Sequence, residues 1–362
     1  MTTNDPTKIP ERDDYLWDGS GAPDPEIQRL ESLLAQFRQD TRPLALRHEA
    51  AQGGLPFLRF WQKGWVPLRL AVAAAVLLAL GVALLFLRQT RNTETQIAWN
   101  VATLAGGPQI GAQTISATDV NAKLLVGQTL TTDSTSRASV FQDDLGEIQV
   151  EPNSRVHLLR SGPEHKRIQL EVGTIHAAIW APPTQFIVDT PSATAVDLGC
   201  AYTLQVNADG SGTLRTTLGW VGFHLNGRNS FIPAGAMCLT RPGIGPGAPY
   251  FEDAAPQFRE ALHIFDTSDP SSEAHTQQLA VILAQARAKD ALTLWHLLSR
   301  TRGPERAKVY DRLAALVPPP NGITRDGVLA LDRKMLDRYW DALGLGRISV
   351  WRMWEQPTAP AS

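Results

Sequence analysis

Hydrophobic and polar positions divide this chain into four regimes. Residues 1–65 are polar and rich in turn-formers, except at 25–38, where Ile27, Leu30, Leu33, Leu34 and Phe37 recur at helical spacing. Asp24 can cap that helix, Pro25 suits its first turn and Glu26 complements its dipole. One amphipathic helix cannot bury its own apolar face, so this one needs a partner: another protein, a membrane surface or the preceding Tyr15-Leu16-Trp17. The second regime, 66–87, contains the uninterrupted apolar run LAVAAAVLLALGVALLFL from Leu70 to Leu87. At about 1.5 Å per residue it is long enough to cross a hydrocarbon core of about 30 Å, and it is predicted to be a single transmembrane helix. Arg69 and Arg88 suit its two ends, and Trp61 and Trp65 suit the headgroup belt. Its depth in the chain and its length argue against a cleaved signal peptide.

A short polar linker, 88–96, leads into the third regime, 97–240. Here short β-like runs such as Glu147–Val150, Val156–Leu159, Ile168–Val172 and Phe186–Val188 alternate with Gly, Pro, Asn and Asp. A weak repeat places a glycine between two such runs at Gly127, Gly173, Gly219 and Gly235. The pattern predicts an all-β domain and leaves a roll, a sandwich and a solenoid-like stack open. Residues 241–270 open on a Gly/Pro-rich stretch and read as a connector. The fourth regime, 271–345, turns helical. Leu279, Ile282, Leu283 and Leu294–Leu298 carry its first part, Val309, Leu313 and Leu316 follow Gly303-Pro304, and a last helix holds Leu329, Leu336, Trp340 and Leu343. Short breaks between these helices predict a small antiparallel module, followed by a tail at 346–362. The expected fold class is therefore multi-domain β + α.

Charge and cysteine content sharpen this picture. A formal net charge of −2 with no dense basic run argues against a nucleic-acid partner. Arg47, Arg59, Lys63 and Arg69 precede the membrane segment whereas only Arg88 and Arg91 follow it closely, which favours a cytoplasmic N-terminus. The two cysteines, Cys200 and Cys238, both follow that segment, where an oxidising compartment would let them pair; a disulfide between them is expected, the alternative being two buried free thiols in small apolar sites.

The sequence offers little catalytic chemistry. The eight histidines include no HExxH pair, and CxxC, GxSxG and GxxxxGK motifs are all missing, so neither a metal nor a cofactor is expected. His157 and His176 read as surface residues of strands, and Asp143-Asp144 as a solvated turn. Trp180, Trp220, Phe223 and Phe231 could line a glycan-binding face, although core positions in a β domain account for them more simply. No enzyme is expected.

The β segment resembles the FecR family of bacterial membrane proteins that act on sigma factors. Phe141–Ser154 looks like that family's strand, acidic-glycine turn, strand and Pro-x-Ser element. Leu170–Ile175 looks like its L-x-x-G-x-(V/I) step, and Phe186–Gly199 like its F-x-V-x-T-P…A…V…G stretch. Leu218–Val221 and Pro233–Gly235 fit two later glycine steps. The family's Gly-Thr-x-Phe is replaced by Gly199-Cys200-Ala201-Tyr202, the N-terminal segment is shorter than the usual sigma-binding module, and the C-terminal region is helical. The resemblance implies a bacterial inner-membrane protein with periplasmic C-terminal domains. It would pass an envelope signal to a cytoplasmic sigma factor held by Ile27, Leu30, Leu33, Leu34 and Phe37. The alternative is an envelope scaffold that binds peptidoglycan, polysaccharide or another envelope protein through its outer domains.

Overall fold

The computed structural model describes residues 97–347 and Ser349. The amphipathic helix expected at 25–38, the membrane segment expected at 66–87 with Trp61, Trp65, Arg69 and Arg88 at its ends, the expected linker at 88–96 and all but the start of the tail lie outside the described residues. Among the described residues no helix is long and apolar enough to cross a membrane.

Eighteen strands come first. They are β1 (Trp99–Ala105), β2 (Gln109–Ile110), β3 (Gln113–Thr114), β4 (Lys123–Leu124), β5 (Thr129–Thr131), β6 (Arg137–Gln142), β7 (Gly146–Val150), β8 (Arg155–Ser161) and β9 (Lys166–Ile179). The second half holds β10 (Phe186–Asp189), β11 (Thr194–Asp197), β12 (Ala201–Val206), β13 (Gly212–Leu218), β14 (Trp220–Leu225), β15 (Arg228–Pro233), β16 (Ala236–Arg241), β17 (Gly245–Pro246) and β18 (Tyr250–Phe251). They form two sheets. Sheet A runs β4-β1-β6-β7-β9-β12-β13-β16, with β17 and β18 both on β16. Sheet B runs β3-β2-β5-β8-β9-β10-β11-β14-β15. All pairs are antiparallel except β9 with β10.

Strand β9 belongs to both sheets: residues 166–172 pair in sheet B and 173–179 in sheet A. Gly173 is therefore a corner. The other repeat glycines hold equivalent places, Gly127 between β4 and β5, Gly219 between β13 and β14, and Gly235 between β15 and β16, and all four have positive φ. Each marks a passage of the chain from one sheet to the other. A two-sheet architecture thus resolves the alternatives that the repeat left open, because hairpins within a sheet alternate with crossings between sheets. Inward residues at every second position, including Ile148, Leu158, Ile168, Leu170, Ile175, Val188, Leu204 and Leu214, fill one continuous core.

The segment 241–270 is not a plain connector. It carries β17 and β18 and then helix α1 (Pro256–Thr267), started by Pro256, whose missing N–H costs nothing in a first turn. Five more helices follow: α2 (Glu273–Gln285), α3 (Ala291–Arg300), α4 (Gly303–Leu316), α5 (Arg325–Leu329) and α6 (Arg333–Ala342). The single last helix expected from the sequence is two, divided where Leu331 takes a φ of 58° and Asp332 caps α6 by accepting from Met335 N–H.

Candidate functional site

The β domain and the helices meet along β14 and β15. These strands form a hairpin through Asn226-Gly227, both in the left-handed region that such tight turns require. Strand β15 ends sheet B, and side chains of α3 take up its outer backbone groups. Phe231 N–H donates to His296 Nε2 at 3.1 Å, and Arg300 Nη2 donates to the carbonyls of Asn229 (3.3 Å) and Gly247 (3.0 Å) and to Ser230 Oγ (2.6 Å). Eight consecutive residues of α3, Ala291 to Leu298, are buried, so the helix is covered on every side over that stretch. An edge strand is thereby covered rather than left open to another chain.

A buried ionic cluster pins the seam. Asp266 on α1 accepts from Arg300 Nη1 (3.0 Å) and Arg228 Nη2 (2.6 Å) through one oxygen, and from Ala248 N–H (2.7 Å) through the other. An aromatic cluster lies beside it. Trp220 stacks on Phe231, and Trp340 from α6 meets Phe231, Trp295 and His296 edge-on, with centroids 5.2, 4.9 and 5.9 Å away. Both Trp220 and Trp340 donate their indole N–H to the turn after α6, to the carbonyls of Leu345 (2.8 Å) and Gly346 (3.0 Å). The aromatic face read from the sequence is thus divided. Phe223 and Phe231 are core, Trp220 fastens the helices, and Trp180 alone stands largely in solvent.

The expected disulfide does not form. Cys200 and Cys238 are both free and buried. Cys200 precedes β12 and Cys238 lies in β16, with β13 between them; Ala201 faces Leu218 while Cys238 faces Leu214. Two strand spacings of about 4.8 Å and an offset along the strands separate them, beyond the Cα distance of about 6 Å that a disulfide needs. Each thiol has its own partner, Asp197 for Cys200 and the Gly247 carbonyl (3.2 Å) for Cys238. Burial pushes both thiols above their ordinary range.

Among the described residues no cluster of three or more His, Cys, Asp or Glu could hold a metal. His157 bonds Thr129 and Glu171, and His176 bonds Thr203, all at the surface or partly buried. Asp144 pairs with the buried Lys166 at 3.0 Å, which fixes the β6–β7 turn.

Two buried groups give the domain opposed responses to pH. His296 is neutral: its Nδ1–H donates to the Leu292 carbonyl (2.8 Å) while Nε2 accepts from Phe231. Burial, then the nearby Arg300 charge, hold its pKa down at about 3, against an ordinary 6.5. Asp197 is pushed up to about 7 from 3.8 by burial, which outweighs its bonds from Cys200 and Gly199. The unfolded chain takes up the His296 proton that the fold rejects, so that contribution is complete above pH 6.5 and is lost as pH falls from there toward 3. The fold keeps the Asp197 proton that the unfolded chain releases, so that contribution is complete below 3.8 and is lost as pH rises toward 7. Between pH 4 and 6.5 the two should cancel. His296→Gln should then gain stability, relative to the native protein, as pH falls through this window, and Asp197→Asn should lose it. Each slope should approach about tenfold in the folding equilibrium per pH unit, read from urea midpoints at three pH values.

The motif residues of the β domain meet in pairs at its corners. Ser154 sits on Gly173: its Oγ accepts from Thr174 N–H at 2.9 Å, and a Cβ on Gly173 would overlap Ser154 itself. Gly219 lies against the Gly199 carbonyl, where a Cβ would also overlap. Ser154 of the Pro152-Asn153-Ser154 element against Gly173, and Gly199 against Gly219, are thus close contacts at places where the chain changes sheets. Residues 128–219 match the family model described as FecR protein. This β domain is FecR-like. The match runs from β5 to the Gly219 corner, so the hairpin that docks the helices lies just beyond it. Where the family has Thr and Phe, the FecR-like domain has Cys200 and Tyr202, both buried, and the Cys200 thiol donates to the Asp197 carboxyl as a threonine hydroxyl could. Two crystal structures of a Parabacteroides distasonis protein provisionally assigned as an anti-sigma factor, at 1.65 and 2.50 Å resolution, align with 38% of this chain at 15% identity and a TM-score of 0.31. The alignment spans 64% of that protein's chain, less than two thirds. No curated protein matches.

Sequence reasoning missed Arg228, Asp266 and Arg300, which lie far apart in the chain. Arg300 left one signal, a lone charge at the end of the apolar run from Leu294 to Leu298.

Proposed function

We propose that this protein is a single-pass inner-membrane regulator of a sigma factor, with its FecR-like domain outside the cytoplasm and residues 1–65 inside. The observation that carries this reading is the FecR match over residues 128–219. The uncharged run from Leu70 to Leu87 and the basic excess before it support the topology. The apolar face of Ile27, Leu30, Leu33, Leu34 and Phe37 is the sigma-binding element. Regulation works by release: an outer event changes the availability of that face, and the switch is the difference in its affinity for the sigma factor between two states.

The test uses residues 1–65 as bait on a lysate of the native host, beside a matched bait carrying Leu30→Asp and Phe37→Asp. Retention of a sigma factor by the native segment, lost with the charged one, is the expected result. Retention of the same proteins by both baits would remove the sigma-binding role from this segment.

A further inference from the structure

Trp180 is 62% exposed, yet it is fixed. Its indole N–H donates to the Asp143 carbonyl (2.7 Å), its backbone N–H to the Leu145 carbonyl (3.0 Å), and the same turn is tied down by Asp144 on Lys166. It lies over the outer face of sheet A, where it lines a groove of about 390 Å³ together with Leu104, Phe141, Gln142, Ser139 and Glu147. From Phe141 a register row crosses five strands, through Glu147, Ala178 and Ala201 to Leu218, which is 67% exposed. Four strand spacings make this row about 19 Å long. Glu147 takes Ser139 (2.7 Å) and Gln149 (3.4 Å) on one carboxylate oxygen, and no bond to the other is present among the described residues.

We propose that this groove binds a neutral pyranose chain, with one ring stacked on Trp180 and a hydroxyl donating to the open carboxylate oxygen of Glu147. The polar atoms on offer are acceptors, so the ligand must bring donors, which sugar hydroxyls do. No lysine or arginine lines the groove, while Asp143 and Glu147 do, so a phosphate, a uronate or a nucleic acid would meet uncompensated negative charge. A peptide strand is disfavoured over most of the groove because β6, β7 and β9 are each paired on both sides, which leaves them no backbone edge for it to join. A flat indole held in place by its own hydrogen bond matches the C–H face of a pyranose without being ordered on binding. The length of the row fits an oligosaccharide rather than a single sugar. This site is independent of the sigma-factor reading and would stand if that reading fell.

The full chain, in a detergent without sugar headgroups, would be titrated calorimetrically with cellotetraose, chitotetraose, tetragalacturonate and the tetrapeptide Thr-Val-Thr-Val. Saturable binding of at least one neutral tetrasaccharide is expected, weakened about tenfold or more by Trp180→Ala and also weakened by Glu147→Gln. Trp180→Ala should keep the native unfolding midpoint, as an exposed residue would; if it does not, the Glu147→Gln variant carries the test. Absence of neutral-sugar binding, affinities unchanged in the variants, or equal binding of tetragalacturonate would each overturn the proposal. So would tetrapeptide binding with the same residue dependence and no sugar binding.

Discussion

Arg300→Met is expected to cost the β-and-helical unit about 3–5 kcal/mol of stability, the penalty for removing one member of a buried ion pair and leaving its partners unsatisfied. Arg300 is nearly inaccessible and holds four groups at once: the Asp266 carboxylate, Ser230 Oγ and the carbonyls of Asn229 and Gly247. Arg228 still reaches Asp266 in the variant, but from a more exposed position, and nothing replaces the donors to β15. Urea unfolding of this unit measures the loss, and thermal unfolding should show it as a drop of about 10 °C in Tm. Replacing Arg228, Asp266 and Arg300 together by apolar residues of similar size should cost less than Arg300→Met alone, since no lone charge then stays buried. If Arg300→Met costs under about 1 kcal/mol, the cluster does not hold the seam.

Gly173→Ala is the second large effect. With a φ of +102° and Ser154 directly against it, an alanine there must adopt a backbone that L-residues avoid and also displace the Pro152–Ser154 corner. A loss of at least about 3 kcal/mol is expected, from left-handed strain and overpacking together. Gly127 is the informative control. It carries the same repeat and a φ of +86°, but a Cβ there meets nothing within 4 Å. Gly127→Ala should show the backbone cost alone, about 1–2 kcal/mol. Equal losses at the two positions would mean that the Ser154 contact contributes little. Chemical denaturation of both variants against the native protein decides it.

The corners also show how far the sequence could be read. Alternating apolar positions and turn residues placed the β domain and its strands, because burial of one side of each strand writes a period of two into the chain. The glycine repeat was visible, and so was its meaning as a recurrent turn. That Gly173 lies within one strand shared by two sheets was not visible, since a strand that bends between sheets has the same alternation as one that does not. The helices after 271 were legible from their apolar spacing. Helix α1 was hidden by the Gly/Pro-rich stretch ahead of it, although Phe258, Leu262 and Phe265 had helical spacing.

For the sites the limit is the same. Two cysteines in one domain made a disulfide reasonable, but pairing depends on strand order, and β13 stands between them. Trp180, Trp220, Phe223 and Phe231 were equivalent as letters. Their places in the sheets made two of them core, one a clamp on the helices and one a fixed ring on an open face. The sequence alone determined what local pattern encodes: an apolar segment of membrane-spanning length, an all-β region with FecR motifs, and helices behind it. Tertiary structure alone decided what depends on residues distant in the chain: the Arg228–Asp266–Arg300 cluster, the separation of the thiols, and the groove around Trp180. Those features arise from strand order and helix docking, which many non-local contacts set together and no local stretch of the chain specifies.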